Sequence, residues 1–291
     1  MQEKPNISLS IAIVCYHSSV AELRALVASI LQSLQQLKVK VEVAALPIYL
    51  IDNSESSTWE SSEKEPLSEA VLGGHVQLAR ELDVELHLVS GQGNVGYGSA
   101  HNLVLPELES DFHLLLNPDM VLQKQCLPEG ITYLLDNPDV VFASPSAEFE
   151  NGEKQFLCKR YPSVFTLFAR GFFPRSIKKS FAARLRSYEM QDLSENKPTK
   201  DIPIASGCFM LCRSKAFKAV GGFDGNYFLY FEDFDFSQRI KQQGSIAYLP
   251  NMKIQHAGGN TARKGLKHLR MFVKSGIRFF NTYGWHFFAN E

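Results

Sequence analysis

The run Phe-His-Leu-Leu-Leu at 112–116 breaks off at Asn117-Pro118-Asp119, and this stretch narrows the possible folds more than any other. Apolar residues with no alternation read as a strand covered on both faces, the habit of strands inside α/β sheets. Pro118 has no N–H for a ladder, so the chain must leave the sheet there and deliver Asp119 into a connection. Open α/β sheets bind ligands beyond the carboxyl ends of their strands. Asp119 is therefore a candidate for chemistry before anything else is read.

The flanking segments build the sheet around that strand. Residues 8–15 alternate and then run apolar, and 20–37 set Leu23, Leu26, Val27, Ile30, Leu34 and Leu37 on one helical face. Residues 47–51 give a second strand ending in Asp52-Asn53-Ser54, and 84–89 a third. Strands separated by helical segments imply a parallel sheet with right-handed crossovers. A surface loop is expected over 55–74, helices over 76–82 and 127–135, and a fifth strand over 140–144. The pattern breaks past Pro145, and Asn151-Gly152 reads as a hairpin turn. Further strands are expected over 202–212, centred on Gly207, and over 246–249 and 252–255, with a helix over 215–220 between them.

Composition fits such a body: 45% hydrophobic and 21% charged residues over 291 suit a folded α/β domain. Five cysteines, odd in number and without a CxxC pair, argue against a disulfide framework and for a reducing, cytoplasmic setting. No run approaches the length of a membrane span, so no transmembrane helix is expected. The net charge of −1 hides two basic, acid-free blocks, each with nine Lys or Arg, over 154–188 and 236–290. Both are rich in aromatics. They suggest contact with an anionic surface at the inner face of the membrane, whereas no nucleic-acid-binding motif accompanies them.

Three stretches carry candidate chemistry. Gly91-Gln92-Gly93-Asn94-Val95-Gly96 matches G-x-G-x-x-G between a strand and a helix, which keeps a dinucleotide-dependent oxidoreductase open as an alternative. The fingerprint belongs to a first βαβ unit, however, and here it follows the third strand. Glu232-Asp233-Phe234-Asp235 opens a helix amid aromatic residues that would desolvate at least one acid and raise its pKa toward that of a useful base. His256 ends a strand beside Gly258-Gly259, where a turn residue and a metal or phosphate ligand are both readings.

In this order the motifs resemble the family 2 glycosyltransferases of the GT-A fold, and most of all their bacterial rhamnosyltransferase-like branch, over 8–256. The resemblance implies an α/β/α nucleotide-binding sandwich with a mostly parallel central sheet. It places the GT-A domain at 1–262, a basic helical insertion on the acceptor or membrane side at 145–200, and an amphipathic basic C-terminal helix at 263–291. It implies Asp52 for the nucleoside, with Asn94, Gly96, Tyr97, Asn102 and Asn117 also lining the nucleotide pocket. The family's Asp-x-Asp falls on Asn117-Pro118-Asp119, so Asp119 alone of that motif is left to hold Mg²⁺ or Mn²⁺, with His256 nearby. Gly207 to Leu211, Gly221 to Asp224 and the pair Glu232-Asp233 match later motifs, with Asp233 as catalytic base. The implied reaction is inverting transfer of a sugar, such as rhamnose from dTDP-rhamnose, to a cell-surface glycan or lipid-linked acceptor. A non-catalytic nucleotide- or glycan-binding module on the same fold is the remaining alternative.

Overall fold

The computed structural model describes residues 3–44, 46–56, 59, 67–174, 177, 179–258 and 265–288. The turn expected past Gly258, the basic residues Arg175, Lys178, Arg263 and Lys264, and the boundary expected at 262 lie outside the described residues, as does much of the loop expected over 55–74.

Strand β1 (Leu9–Cys15) leads through Ser19 into helix α1 (Val20–Lys40). Ser19 and Glu22 close a capping box there: the Glu22 N–H donates to Ser19 Oγ at 3.2 Å, and the Ser19 N–H donates to Glu22 Oε2 at 2.8 Å. All six residues of the anticipated apolar face are fully buried. Strands β2 (Leu46–Asp52), β3 (Val84–Val89) and β4 (Phe112–Leu116) follow, then β5 (Met120–Leu122), helix α2 (Cys126–Asp136), β6 (Val140–Glu148) and the short β7 (Lys154–Gln155). The remainder supplies β8 (Phe209–Arg213), helix α3 (Glu232–Ile240), β9 (Ser245–His256) and helix α4 (Gly265–Tyr283).

One mixed sheet runs in the order β3-β2-β1-β4-β8-β6-β9-β5, with β7 pairing the end of β6. The β3, β2, β1 and β4 half is parallel, as expected. Beyond β4 the sheet is mixed: β8 pairs β4 and β6 antiparallel, and β9 runs parallel to β6. Helices α1 and α2 pack on one face over the largest apolar cluster, and a second cluster around Phe142, Phe217 and Phe236 fills the other.

Three strand readings change. Strand β6 continues through Pro145 instead of stopping there, because β9 shifts register between Leu249 and Lys253 beside it, and a bulge tolerates a missing N–H. The same bulge joins the two short strands expected over 246–255 into one. The strand expected over 202–212 is split into Ile204–Ala205 and β8, and the gap at 206–208 is where the functional site is built.

Candidate active site

The carboxyl ends of β1, β2 and β4 share one edge, since Cys15 pairs with Asp52 and Ile13 with Leu116. Asp52 is buried there. Its Oδ1 accepts from the Ser54 N–H at 3.1 Å, whereas Oδ2 is buried with no hydrogen-bond partner. A buried carboxylate oxygen left unpaired is costly unless a ligand donor meets it. Gln92 braces the same spot, donating to the Asp52 carbonyl at 2.6 Å.

The glycine loop is tied down by asparagines. Asn53, which sequence reasoning passed over, accepts from the Val95 N–H at 3.0 Å and donates to Asn94 Oδ1 at 3.3 Å. Asn94 Oδ1 also accepts from the Gly96 N–H at 3.2 Å. Gly96 has φ +90°, and a Cβ on it would lie 2.5 Å from the Phe228 carbonyl oxygen, which accepts the Tyr97 N–H at 3.1 Å. A Cβ on Gly98 would strike the Phe223 side chain at 2.7 Å. Asn102 grips the Phe223 backbone at both ends, its amide donating at 2.8 Å and accepting at 2.9 Å. Its polar atoms are thus committed to protein, and glycines 96 and 98 serve close chain packing. That packing supplies a reason for the glycine run other than a dinucleotide.

The peptide Gly207-Cys208 brings the separate motifs together. The Gly207 carbonyl accepts from the Tyr97 hydroxyl at 2.5 Å, the Gly207 N–H donates to Asp233 Oδ2 at 3.0 Å, and the Cys208 carbonyl accepts from the Asn117 N–H at 2.9 Å. The glycine loop, the Asn-Pro-Asp turn and the acidic helix therefore meet on two adjacent residues. Gly207 has no room for more: an added Cβ would lie 3.1 Å from Asp233 Cβ.

On one side of this junction, Met120 pairs with His256 across β5 and β9, and the Ala257 N–H donates to the Asp119 carbonyl at 3.0 Å. His256 Nε2 lies 3.4 Å from Asp119 Oδ1, an oxygen that is buried and has no hydrogen-bond partner. Burial would raise the Asp119 carboxyl, but His256 and the N–H groups of Asp119 and Gly258 outweigh it and hold the group below its ordinary value. Gln155 fixes the ring. Its Nε2 donates to the His256 carbonyl at 2.6 Å, which turns Oε1 toward Nδ1 at 2.8 Å and requires the proton there. Nε2 faces Asp119, where it can share a proton with the carboxylate or, once that proton is displaced, offer a lone pair to a cation. An oxygen and an imidazole nitrogen so placed fit a divalent cation, although no third His, Cys, Asp or Glu joins them among the described residues. Phosphate oxygens and water would complete such a shell.

On the other side stands Asp233, whose Oδ1 accepts from the Phe234 N–H at 3.0 Å. The turn before it is strained: Tyr230 and Phe231 have φ +68° and +64°, left-handed values that aromatic residues rarely adopt. Helix α4 holds that turn. The Phe231 ring lies 5.1 Å from Phe272 and 5.4 Å from Phe279, Ser275 Oγ donates to the Leu229 carbonyl at 2.8 Å, and Tyr230 Oη meets His268 Nδ1 at 2.9 Å. Asp235 is turned away, taken up by Arg239 at 2.7 Å and the Tyr283 hydroxyl at 2.8 Å. Burial and the charge of Asp233 push Glu232 well above its ordinary value. Burial also raises Asp233, opposed by the N–H groups of Gly207, Phe234 and its own backbone and by Lys159. One neutral and one ionisable carboxyl side by side is an arrangement suited to proton transfer.

Solved structures with this architecture are glycosyltransferase-like in fold. GalNAc-T7 with UDP, GalNAc and Mn²⁺ superposes over 94% of this chain with TM-score 0.60 and 14% identity. This chain spans about half of that one, covering 48% of it. S. aureus TarS 1-349 matches with TM-score 0.52 and 14% identity over 94% of this chain and 66% of its own. The fold is that of the GT-A glycosyltransferases. Residues 5–271 match the family model described as Glycosyltransferase like family 2, and the chain belongs to that family. Among its relatives is the N-acetylglucosaminyl-diphospho-decaprenol L-rhamnosyltransferase of Mycobacterium tuberculosis, 27% identical over 227 residues, 69% of each chain. Another is the rhamnosyltransferase WbbL of Escherichia coli K12, 26% identical over 216 residues, 67% of this chain and 73% of its own. The protein is a glycosyltransferase.

Proposed function

We infer that the enzyme transfers a deoxyhexose, rhamnose in the first instance, from a nucleoside-diphosphate donor to a lipid-linked or cell-surface glycan acceptor, with inversion at the anomeric carbon. The observation that carries this reading is the Gly207-Cys208 peptide, to which the glycine loop, the Asp119 turn and Asp233 are all hydrogen-bonded. The relatives' names support the donor sugar and the diphospho-lipid class of acceptor. Asp52 holds the nucleoside with its unpaired Oδ2. Asp119 and His256 would hold Mg²⁺ or Mn²⁺, which when bound neutralises charge on the leaving diphosphate. Asp233 takes the proton from the attacking acceptor hydroxyl, and Tyr97 and Gly207 keep its carboxylate aimed. A single displacement from the face opposite the leaving group inverts the configuration. Thermal-shift measurements over a panel of nucleotide sugars test the donor. A deoxyhexose donor is expected to raise the melting temperature, and to do so more with Mn²⁺; stabilisation by other donors only would exclude this specificity.

The acceptor class fits a cytoplasmic enzyme working at the inner membrane face. Among the described residues no helix is long and apolar enough to cross a membrane. What supports peripheral contact is α4, which leaves Leu266, Leu269, Val273 and Ile277 exposed, flanked by Lys267, Arg270 and Lys274. The segment after it continues the surface: Phe287 and Phe288 are 59% and 65% exposed, and the His286 and Phe287 carbonyls accept from Val164 and Phe165 of the basic insertion. Flotation with vesicles containing anionic lipid is expected to carry the protein at low salt and release it at high salt. Protein that stays at the bottom of the gradient would make these faces mere packing surfaces.

A further inference from the structure

The segment 154–159 runs from His256 to the short strand Ile204–Ala205. Gln155 holds His256 at the cation end, and four residues later Lys159 pairs with Ile204 at the end where Gly207 holds Asp233. The Ser206 N–H locks the segment down, donating to the Leu157 carbonyl at 3.0 Å. Lys159 is 8% exposed, and among the described residues its ammonium has a single acceptor, the Phe156 carbonyl. An ammonium carries three protons, so two are left without a protein oxygen. Glu189, whose charge favours the ammonium, is itself engaged by Arg170 at 3.2 Å. Tyr188, 4% exposed, adds a second open donor, because its hydroxyl is buried with no partner. Its carbonyl accepts from the Arg160 N–H at 2.9 Å, which fixes it beside the same segment.

Both groups lie within electrostatic reach of the base. Burial, and then Arg170, bring the Lys159 ammonium down to about 8, while its charge opposes the rise at Asp233. Burial raises the Tyr188 hydroxyl, and Asp233 is among the charges that add to the effect. A desolvated cation and a desolvated hydroxyl, each with unfilled hydrogen bonds, are stabilised best by an anion rich in oxygen. On the glycosyl-transfer reading the donor diphosphate is met instead by the cation that Asp119 and His256 would hold.

We propose that Lys159 and Tyr188 form a subsite for a phosphate group of the acceptor, placed beside the hydroxyl that Asp233 deprotonates. The proposal rests on the glycosyl-transfer reading and assigns to the insertion the task of selecting phosphorylated acceptors. Charge-assisted hydrogen bonds to a buried phosphate are among the strong ones, so losing the ammonium should weaken binding roughly ten- to a hundredfold.

The test titrates the full chain with dTDP and Mg²⁺, and then titrates the dTDP-saturated protein with geranyl phosphate and with inorganic phosphate. Lys159→Met is expected to weaken both phosphate probes about tenfold or more and to leave dTDP affinity within about twofold. Lys159→Arg should recover most of the loss, and Tyr188→Phe, which removes one oxygen, should weaken the probes a few-fold without unfolding the chain. Phosphate binding that is absent in the wild type, or untouched in Lys159→Met and Tyr188→Phe, overturns the subsite. A loss seen for dTDP instead would show that Lys159 serves the donor, and overturns the acceptor assignment. A wild-type chain that binds no nucleoside diphosphate would count against the glycosyl-transfer reading itself, a result distinct from either.

Discussion

Asp233→Asn is expected to lower sugar transfer by about 10²- to 10⁴-fold, the range for losing a positioned general base, while donor binding stays nearly unchanged. The amide keeps the shape of the carboxylate, and its oxygen can still accept from one of the Gly207 and Phe234 N–H groups, but it cannot take a proton. The split between turnover and binding separates a base from a donor ligand. The pH profile gives a second readout. The Asp233 pKa is raised by burial, and a base must be ionised to act, so transfer should fail as pH drops through that raised value. The acid limb should therefore lie above the ordinary Asp range and vanish in the variant's residual activity. Transfer by Asp233→Asn at the wild-type rate would remove the base from this position.

Asp119→Ala should abolish the part of donor stabilisation that depends on Mn²⁺. Ligand at a hundred times its Kd stabilises a fold by about 2.7 kcal/mol, worth several degrees of melting temperature in a chain of this size. Most of the cation-dependent share of that shift is expected to disappear, with the metal-free shift retained. Gln155→Leu provides a graded control. It leaves both donor atoms in place but releases the Nδ1 proton that Gln155 Oε1 holds, and losses of this kind reduce metal affinity about 10- to 100-fold. An Asp119→Ala protein whose donor response still sharpens with Mn²⁺ would place the cation elsewhere.

Much of this cleft can be read from the chain, for reasons that are local. Residues 112–119 announce a buried strand and its exit, because apolar run and proline act within a few residues of each other. The face of α1 is legible because a 3.6-residue period is a property of the segment itself. What escapes is decided across the fold. Pro145 reads as an end only until β9 bulges beside it. Asn102 reads as a pocket residue until Phe223, 121 residues away, takes both ends of its amide. Asn53 follows a strand end, but its partners Asn94 and Val95 lie beyond β3, 41 and 42 residues on. Lys159 and Tyr188 looked like one more basic, aromatic stretch, since burial and missing partners have no sequence signature.

The left-handed pair Tyr230 and Phe231 has its own consequence. Neither residue would hold that shape unaided, and the force that keeps it comes from the far end of the chain, from Phe272, Ser275 and Phe279. The family likeness ends at residue 271, one position before the first of them. A chain trimmed to that likeness would retain each recognisable signature and lose the grip that points Asp233 at its target; the reach of the motifs is shorter than the reach of the machine.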